Sequence, residues 1–260
     1  MGSVAVITGA ASGMGRACVE TLRHAGDILV AVDLKAPDID GAVDLACDIA
    51  DPEAVATLVE RVHELGEFRS LVHAAGISPT MADARRVFEV DLVGTHLVLD
   101  AFESLVVPGS AGVCFSSSAA YQIAPFVDAE QDTVLDDPGA PDFLDRITAV
   151  ITDSGHAYAL AKRGVIRAAA RAAVRWGARG GRVNSVAPGL IDTPMGRREF
   201  EEQPIMRQML DRTPLGRLGQ PNEVAATVSY LLSPDASFIS GIDILVDGGM
   251  LQGMASASGD

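Results

Sequence analysis

Tyr158 and Lys162 stand four residues apart in Tyr158-Ala159-Leu160-Ala161-Lys162, inside a stretch whose spacing predicts a helix over 155–176. At that spacing both side chains share one helix face. A free phenol, with a pKa of about 10, is a poor base at neutral pH, but an adjacent ammonium stabilises the phenolate and lowers that value. Such a pair can exchange a proton with an alcohol or carbonyl oxygen while hydride moves to or from a nicotinamide ring. A tyrosine and a lysine at this spacing also occur as an ordinary surface pair. Here they follow a serine-ended strand in a chain with a nucleotide-type turn, which favours the chemical reading.

That turn is Thr8-Gly9-Ala10-Ala11-Ser12-Gly13-Met14-Gly15, between a predicted first strand (4–8) and first helix (13–25). Gly9 permits the tight turn, Gly13 lets backbone approach a pyrophosphate, and Gly15 lets helix and strand pack closely. Ser12, Met14 and the helix N-terminus supply free N–H groups and a positive dipole end. The second strand ends at Asp33, followed by Leu34, where a carboxylate can accept both hydroxyls of an adenosine ribose and repel a 2′-phosphate. Lys35 is near, but no cation stands inside the turn. The pattern favours NAD over NADP. Asp48 and Ile49, after a later short apolar run, are candidates to frame the adenine ring.

The elements that must position these residues alternate along the whole chain. Apolar runs at 28–32, 71–72, 112–115, 182–186 and 242–246 predict further strands, and helices are expected over 52–66, 83–106 and Pro221–Leu232. Asp51-Pro52-Glu53 supplies an N-cap, a first-position proline and a first-turn acid. Strands apolar on both faces, each reached through a helix, mean a parallel sheet covered on both sides. This is an α/β, doubly wound Rossmann-type fold in a single domain over 1–253. The chief interruption is 122–153, an acid- and proline-bearing segment read as a long functional or interfacial loop. Residues 254–260 read as a frayed tail.

The chain has 260 residues, 35 acidic and 20 basic, for a net charge of -15, and it is 48% apolar. That composition excludes disorder and makes a phosphate-backbone reader of nucleic acid improbable. Cys18, Cys47 and Cys114 show neither CxxC nor regular spacing, so a disulfide scaffold and a zinc ribbon are excluded; no metal is expected. The cysteines read as small buried hydrophobes in a reducing compartment. No leader or membrane-length apolar run is seen, and a cytoplasmic protein is expected. The basic residues between Arg163 and Arg182 recur at helical spacing and read as a solvated helix face.

These motifs resemble the short-chain dehydrogenase/reductase family over nearly the whole chain. The marks are Thr8-Gly9-x-x-x-Gly13-x-Gly15, Ser118, Tyr158-x-x-x-Lys162, Asn184-x-x-x-Pro188-Gly189, Thr193-Pro194 and Asp247-Gly248-Gly249. The resemblance implies that Ser118 hydrogen-bonds the substrate oxygen, Tyr158 is the acid/base, and Lys162 also holds the nicotinamide ribose. Pro188, Gly189, Ile191 and Thr193 would grip the carboxamide. Ser116 and Ser117 compete for the serine role; aligning Ser-Ala-Ala after the strand selects Ser118.

Three departures stand out. Where the family usually has Asn-Asn-Ala-Gly, this chain has His73-Ala74-Ala75-Gly76. Ala75 and Gly76 can still pass close to the cofactor, and His73 reads as a packed strand residue. Where the family has a catalytic Asn, this chain has Asp91, which keeps the main-chain carbonyl implied to hold a proton-relaying water but adds a charge near Lys162. Catalysis is expected to survive, with Asp91→Ala unchanged in rate. Finally, Ser118 and Tyr158 are 40 positions apart. That insertion, with Arg175-Trp176-Gly177, looks like the bacterial 3α-hydroxysteroid dehydrogenase/carbonyl reductase branch.

Residues 190–214 carry Met195, Phe200, Ile205, Met206, Met209 and Leu210 at roughly helical spacing and few cations. This is the pattern of an apolar lid, and ordinary helix packing would also account for it. A hydrophobic secondary alcohol or ketone fits better than a phosphorylated or acyl-carrier-bound substrate, with a hydroxysteroid first and small alicyclic or aromatic ketones second. A different class also stays open: an NAD-binding module without turnover. The resemblance further implies a homo-oligomer, a dimer or tetramer.

Overall fold

The computed structural model describes residues 2–23 and 26–257. Seven parallel strands form one sheet: β1 (Ser3–Thr8), β2 (Ile28–Asp33), β3 (Val43–Ala46), β4 (Glu67–His73), β5 (Ala111–Phe115), β6 (Arg182–Pro188) and β7 (Asp243–Val246). Their order is β3-β2-β1-β4-β5-β6-β7, so the chain reverses direction across the sheet between β1 and β4. Ligands of open α/β sheets bind at such a reversal, beyond the carboxyl ends of the strands.

Alternation along β1 shows how both faces are filled. Val4 and Val6 pack with α2 (Pro52–Leu65), α4 (Gly94–Glu103) and α8 (Ser154–Gly177). Ala5 and Ile7 pack on the other face with α1 (Gly13–Leu22) and α11 (Pro221–Leu232). Trp176 is fully buried at the end of α8, edge-on to Phe68 at 5.8 Å, with its indole N–H donating to the Leu99 carbonyl at 3.3 Å. The expected cap of α2 is present: the Asp51 carboxylate accepts the Glu53 N–H at 2.9 Å.

Four expectations change. The strand β3 lies where only a short apolar run was seen. The helix expected over 83–106 is broken into α3 (Ala84–Phe88), a π-helical turn (Glu89–Val93) and α4. There the Gly94 N–H reaches back to the Glu89 carbonyl. The tail is helical to 257, in α12 (Met250–Ala257); residues 258–260 lie outside the described residues, as do 24 and 25 at the expected end of α1.

The largest change is the insertion. After α5 (Ser118–Ile123) it holds α6 (Ala129–Leu135) and α7 (Phe143–Thr148). Leu135, Phe143, Ile147 and Ile151 are buried against Phe88, Leu92, Ala157 and Leu160. Its acids account for three of the arginines read as a solvated face. Arg163 pairs with Asp132 at 2.7 Å, Arg167 with Asp132 and Asp136 at 3.1 and 2.5 Å, and Arg171 with Asp136. Arg175 pairs with Asp100 and Glu103 on α4. The insertion therefore covers α8 rather than hanging free. Among the described residues no helix is long and apolar enough to cross a membrane.

Candidate active site

At the reversal between β1 and β4 the chain makes the close approaches its glycines allow. Gly9 has φ +69°, and a Cβ there would lie 2.7 Å from the Ala75 nitrogen. A Cβ on Gly15 would lie 2.1 Å from the Gly9 carbonyl oxygen, so helix and turn touch with no room for a side chain. Beside them lies a cleft of about 420 Å³. Ser12, Gly13, Met14, Asp33, Leu34, Asp48 and Ile49 line one part, and Ala75, Gly76, Tyr158, Lys162 and Thr193 line another. Ser12 makes no side-chain cap to α1, leaving the first-turn N–H groups available to an anion.

The residues present fit a dinucleotide. Asp33 is held by the Ala11 N–H at 3.0 Å and the Leu34 N–H at 2.8 Å, which fixes its carboxylate at the cleft. Asp48 accepts from Ala50 N–H at 3.0 Å and is paired with Arg86 at 3.1 Å. Arg86 lines the same cleft and was not picked out from sequence, where it is one of two adjacent arginines. Pro188, Gly189 and Ile191 line an adjoining chamber of about 80 Å³ together with Ser117, Tyr158, Met195, Phe200 and Met206. Thr193 touches both spaces and caps α9 (Pro194–Glu202), accepting the Gly196 N–H at 2.9 Å.

The serine assignment is corrected. Ser118 is the first residue of α5, buried and lining neither space. Ser116 lines both spaces, but its hydroxyl is already engaged, within 2.9 Å of the Val186 carbonyl and 2.7 Å of the Asp243 carboxylate. Ser117, the N-cap of α5, lines the chamber beside Tyr158, and its hydroxyl favours the phenolate form of that tyrosine. Three identical side chains in tandem carry no sequence signal that separates them; direction of projection does. Ser117→Ala should lower kcat by roughly 10²-fold, as loss of one oxyanion donor does, whereas Ser118→Ala should stay within a few-fold of wild type. Steady-state rates of the two variants decide it, and the reverse order would restore Ser118.

Tyr158 also departs from its expected electrostatics. Burial, then the carboxylates of Asp91 and Glu199, push its phenol above the usual value, while the Ser117 hydrogen bond acts the other way. The Lys162 ammonium is 5.5 Å from the ring centroid. It donates to the Phe115 carbonyl at 3.2 Å and lies 3.6 Å from Asp91 Oδ2, so its charge is largely answered by that carboxylate. Without a bound cofactor the phenol is protonated at neutral pH, the form that donates to a ketone oxygen.

Asp91 sits in the π-helical turn with no exposure. Its Oδ1 accepts the Ile77 N–H at 2.8 Å, while Oδ2 has no hydrogen-bond partner. Burial raises its pKa, and Lys162 opposes that. Its carbonyl accepts from Thr95 Oγ1 at 2.7 Å, and Thr95 Oγ1 lies 3.1 Å from His73 Nε2. Because the threonine proton goes to Asp91, the histidine must donate through Nε2 and accept at Nδ1, 2.9 Å from Thr8 Oγ1. Thr8 in turn accepts the Ala75 N–H at 3.2 Å. Burial and then Lys162 depress the His73 pKa to about 3, so this tautomer stays neutral. His73 is thus packed, and it also ties the cofactor cradle to the turn that carries Asp91.

A phenol, a hydroxyl and an ammonium converging beside a dinucleotide cleft make the protein an oxidoreductase of the alcohol–ketone type. A family model described as enoyl-(acyl carrier protein) reductase matches residues 9–131 and 145–251, and its gap falls inside the insertion. An uncharacterized short-chain type dehydrogenase/reductase of Sinorhizobium fredii is 33% identical over 96% of this chain, which spans only 44% of that relative's length. A cis-4-hydroxycyclohexanecarboxylate dehydrogenase of Sinomonas cyclohexanicum is 33% identical, with 95% of each chain covered. Among solved structures, the 3α-hydroxysteroid dehydrogenase of Pseudomonas sp. B-0831, complexed with NADH, superposes with a TM-score of 0.81 at 32% identity, covering 98% of both chains. The chain belongs to the short-chain dehydrogenase/reductase family.

Proposed function

We propose that the protein is an NAD-linked enzyme interconverting a hydrophobic secondary alcohol and its ketone, with hydroxysteroid-like substrates as the first class. The observation that carries this is the meeting of Ser117 and Tyr158 in a chamber roofed by Met195, Phe200 and Met206. NAD or NADH, when bound, accepts or supplies the hydride. Tyr158 passes the proton at its phenol oxygen, Ser117 orients the substrate oxygen, and Lys162 holds a buried positive charge beside Gly76. The fixed Asp33 carboxylate, with no ion pair among the described residues, supports NAD over NADP. Of the lid's arginines, Arg197 pairs with Asp192 and Arg198 with Glu202, while Arg207 lies over the Phe200 ring, 5.6 Å from its centroid. None of them lines the chamber, which argues against a phosphorylated substrate.

A second reading, small alicyclic ketones, is supported by the 33% identical cis-4-hydroxycyclohexanecarboxylate dehydrogenase. About 80 Å³ is less than the ~150 Å³ cavity that admits benzene, so even a single ring must extend beyond the chamber, and a fused-ring substrate requires a still larger displacement of the lid. The buried free cysteines accord with a reducing cytoplasm. Self-association, expected of the family, has exposed Tyr230, Phe238 and Ile242 beside the β7 edge as a candidate surface.

The test is reduced-nicotinamide absorbance with NAD or NADP and a panel of hydroxysteroids, cyclic alcohols and fatty alcohols. NAD-dependent steroid turnover is the expected result. Turnover confined to cyclic alcohols would select the second reading, and NAD binding without any turnover would select the non-catalytic module.

A further inference from the structure

The lid helix α9 exposes its charges with one exception. Arg197, Arg198, Glu201 and Glu202 face outward, whereas Glu199 is half-buried and lines the chamber that holds Ser117 and Tyr158. The buried Ser78 hydroxyl, on the loop after β4 and 3.0 Å from Thr80 Oγ1, stands beside its carboxylate and favours the charged form. No ion pair reaches Glu199 among the described residues; the nearby ammonium, Lys162, is taken by Asp91. An acid lining a partly enclosed chamber without a cation is unfavourable unless its remaining lone pairs find donors. Ser78 stands on one side of it, and Glu199 itself lines the space a substrate must fill.

We propose that Glu199 is a specificity residue, accepting a hydrogen bond from a second donor group of the substrate, a hydroxyl or an ammonium, remote from the reacting carbinol. This rests on the alcohol–ketone reading and narrows it. A substrate offering such a donor satisfies the carboxylate, an apolar analogue leaves it unpaired, and an anionic analogue is repelled. Sites built to pair a polar substrate group reject analogues lacking it far more strongly than apolar pockets do. Because Glu199 also acts on the Tyr158 phenol, the donor and the reacting oxygen share one chamber.

The experiment uses four cyclohexanols differing only at ring position 4: hydroxyl, ammonium, methyl and carboxylate. Their kcat/KM values with NAD are compared in the wild type, Glu199→Gln and Glu199→Leu. Calorimetry measures binding of the same four to the enzyme–NADH complex. In the wild type, the donor-bearing members should exceed the methyl analogue by roughly tenfold or more, with the carboxylate poorest. In Glu199→Gln the ammonium should lose its advantage while the diol keeps part of its own, since an amide oxygen still accepts. In Glu199→Leu both advantages should vanish. Using ratios removes any general loss of fold or rate.

Turnover with the same ratios in all three proteins would overturn the role of Glu199 and leave the alcohol–ketone reading standing. Donor-selective, Glu199-dependent binding without turnover of any alcohol would do the opposite. Binding of neither the diol nor the amine to the wild-type complex would overturn the proposal outright.

Discussion

Tyr158→Phe is expected to lower turnover in both directions by roughly 10²- to 10⁴-fold, the range of a lost general acid–base group. The variant removes one oxygen and leaves the ring, so the walls of both spaces stay in place. Nucleotide affinity, read from NADH fluorescence titration, should change only a few-fold. Lys162 remains paired with Asp91 in the variant, and Ser117 keeps the Ala119 N–H as a partner at 3.2 Å. A variant retaining a tenth or more of wild-type turnover would show that the proton leaves by another group. Loss of NADH binding in parallel would show a structural effect instead.

Asp91 carries the second large effect. Asp91→Ala leaves the Ile77 N–H without its acceptor and Lys162, only 6% exposed, without a counter-charge. Breaking a buried pair from one side typically destabilises by ~3–5 kcal/mol. For a chain of this size that corresponds to a fall in Tm of about 10 °C. The expectation that the side chain is dispensable therefore gives way: alanine is the wrong probe of the carbonyl. Asp91→Asn keeps an acceptor for Ile77 and removes the charge. Since the Asp91 carboxylate raises the Tyr158 pKa, its neutral replacement should lower it, moving the rising limb of alcohol oxidation to lower pH. Thermal denaturation and pH–rate profiles of both variants check this. An Asp91→Asn limb that does not move would mean that Asp91 carries no charge at the phenol.

What was legible in the chain follows from burial. Strands β1, β2, β4, β5 and β6 are covered on both faces and read as apolar runs, and Pro221–Leu232 matched because its cap and periodicity agree. Strand β3 was not assigned because its four residues are at most half-buried. Helices α6 and α7 were hidden by their acids, although Asp128 and Gln131 form a capping box that sequence can show. The cofactor cleft was legible because glycine types and a strand-end acid dictate it. Ser117 and Glu199 were not, because both depend on which way a side chain points rather than on what it is.

The insertion has a consequence for how freely the outside of this enzyme can vary. Its two ends, α5 and α8, already pack together, so the intervening chain is an excursion that leaves and returns to one place. Doubling the length of such a loop costs only about 0.6 kcal/mol of closure entropy. Against this, the segment returns a buried apolar patch and a row of carboxylates that thread the arginines of α8. Its outer turns can therefore lengthen at little cost, whereas the residues that cover α8 are held by what they bury and pair. A neighbouring molecule approaching the part of α8 that bears Arg163 and Arg167 meets α6 first, and the reacting groups behind it are insulated from whatever that surface becomes.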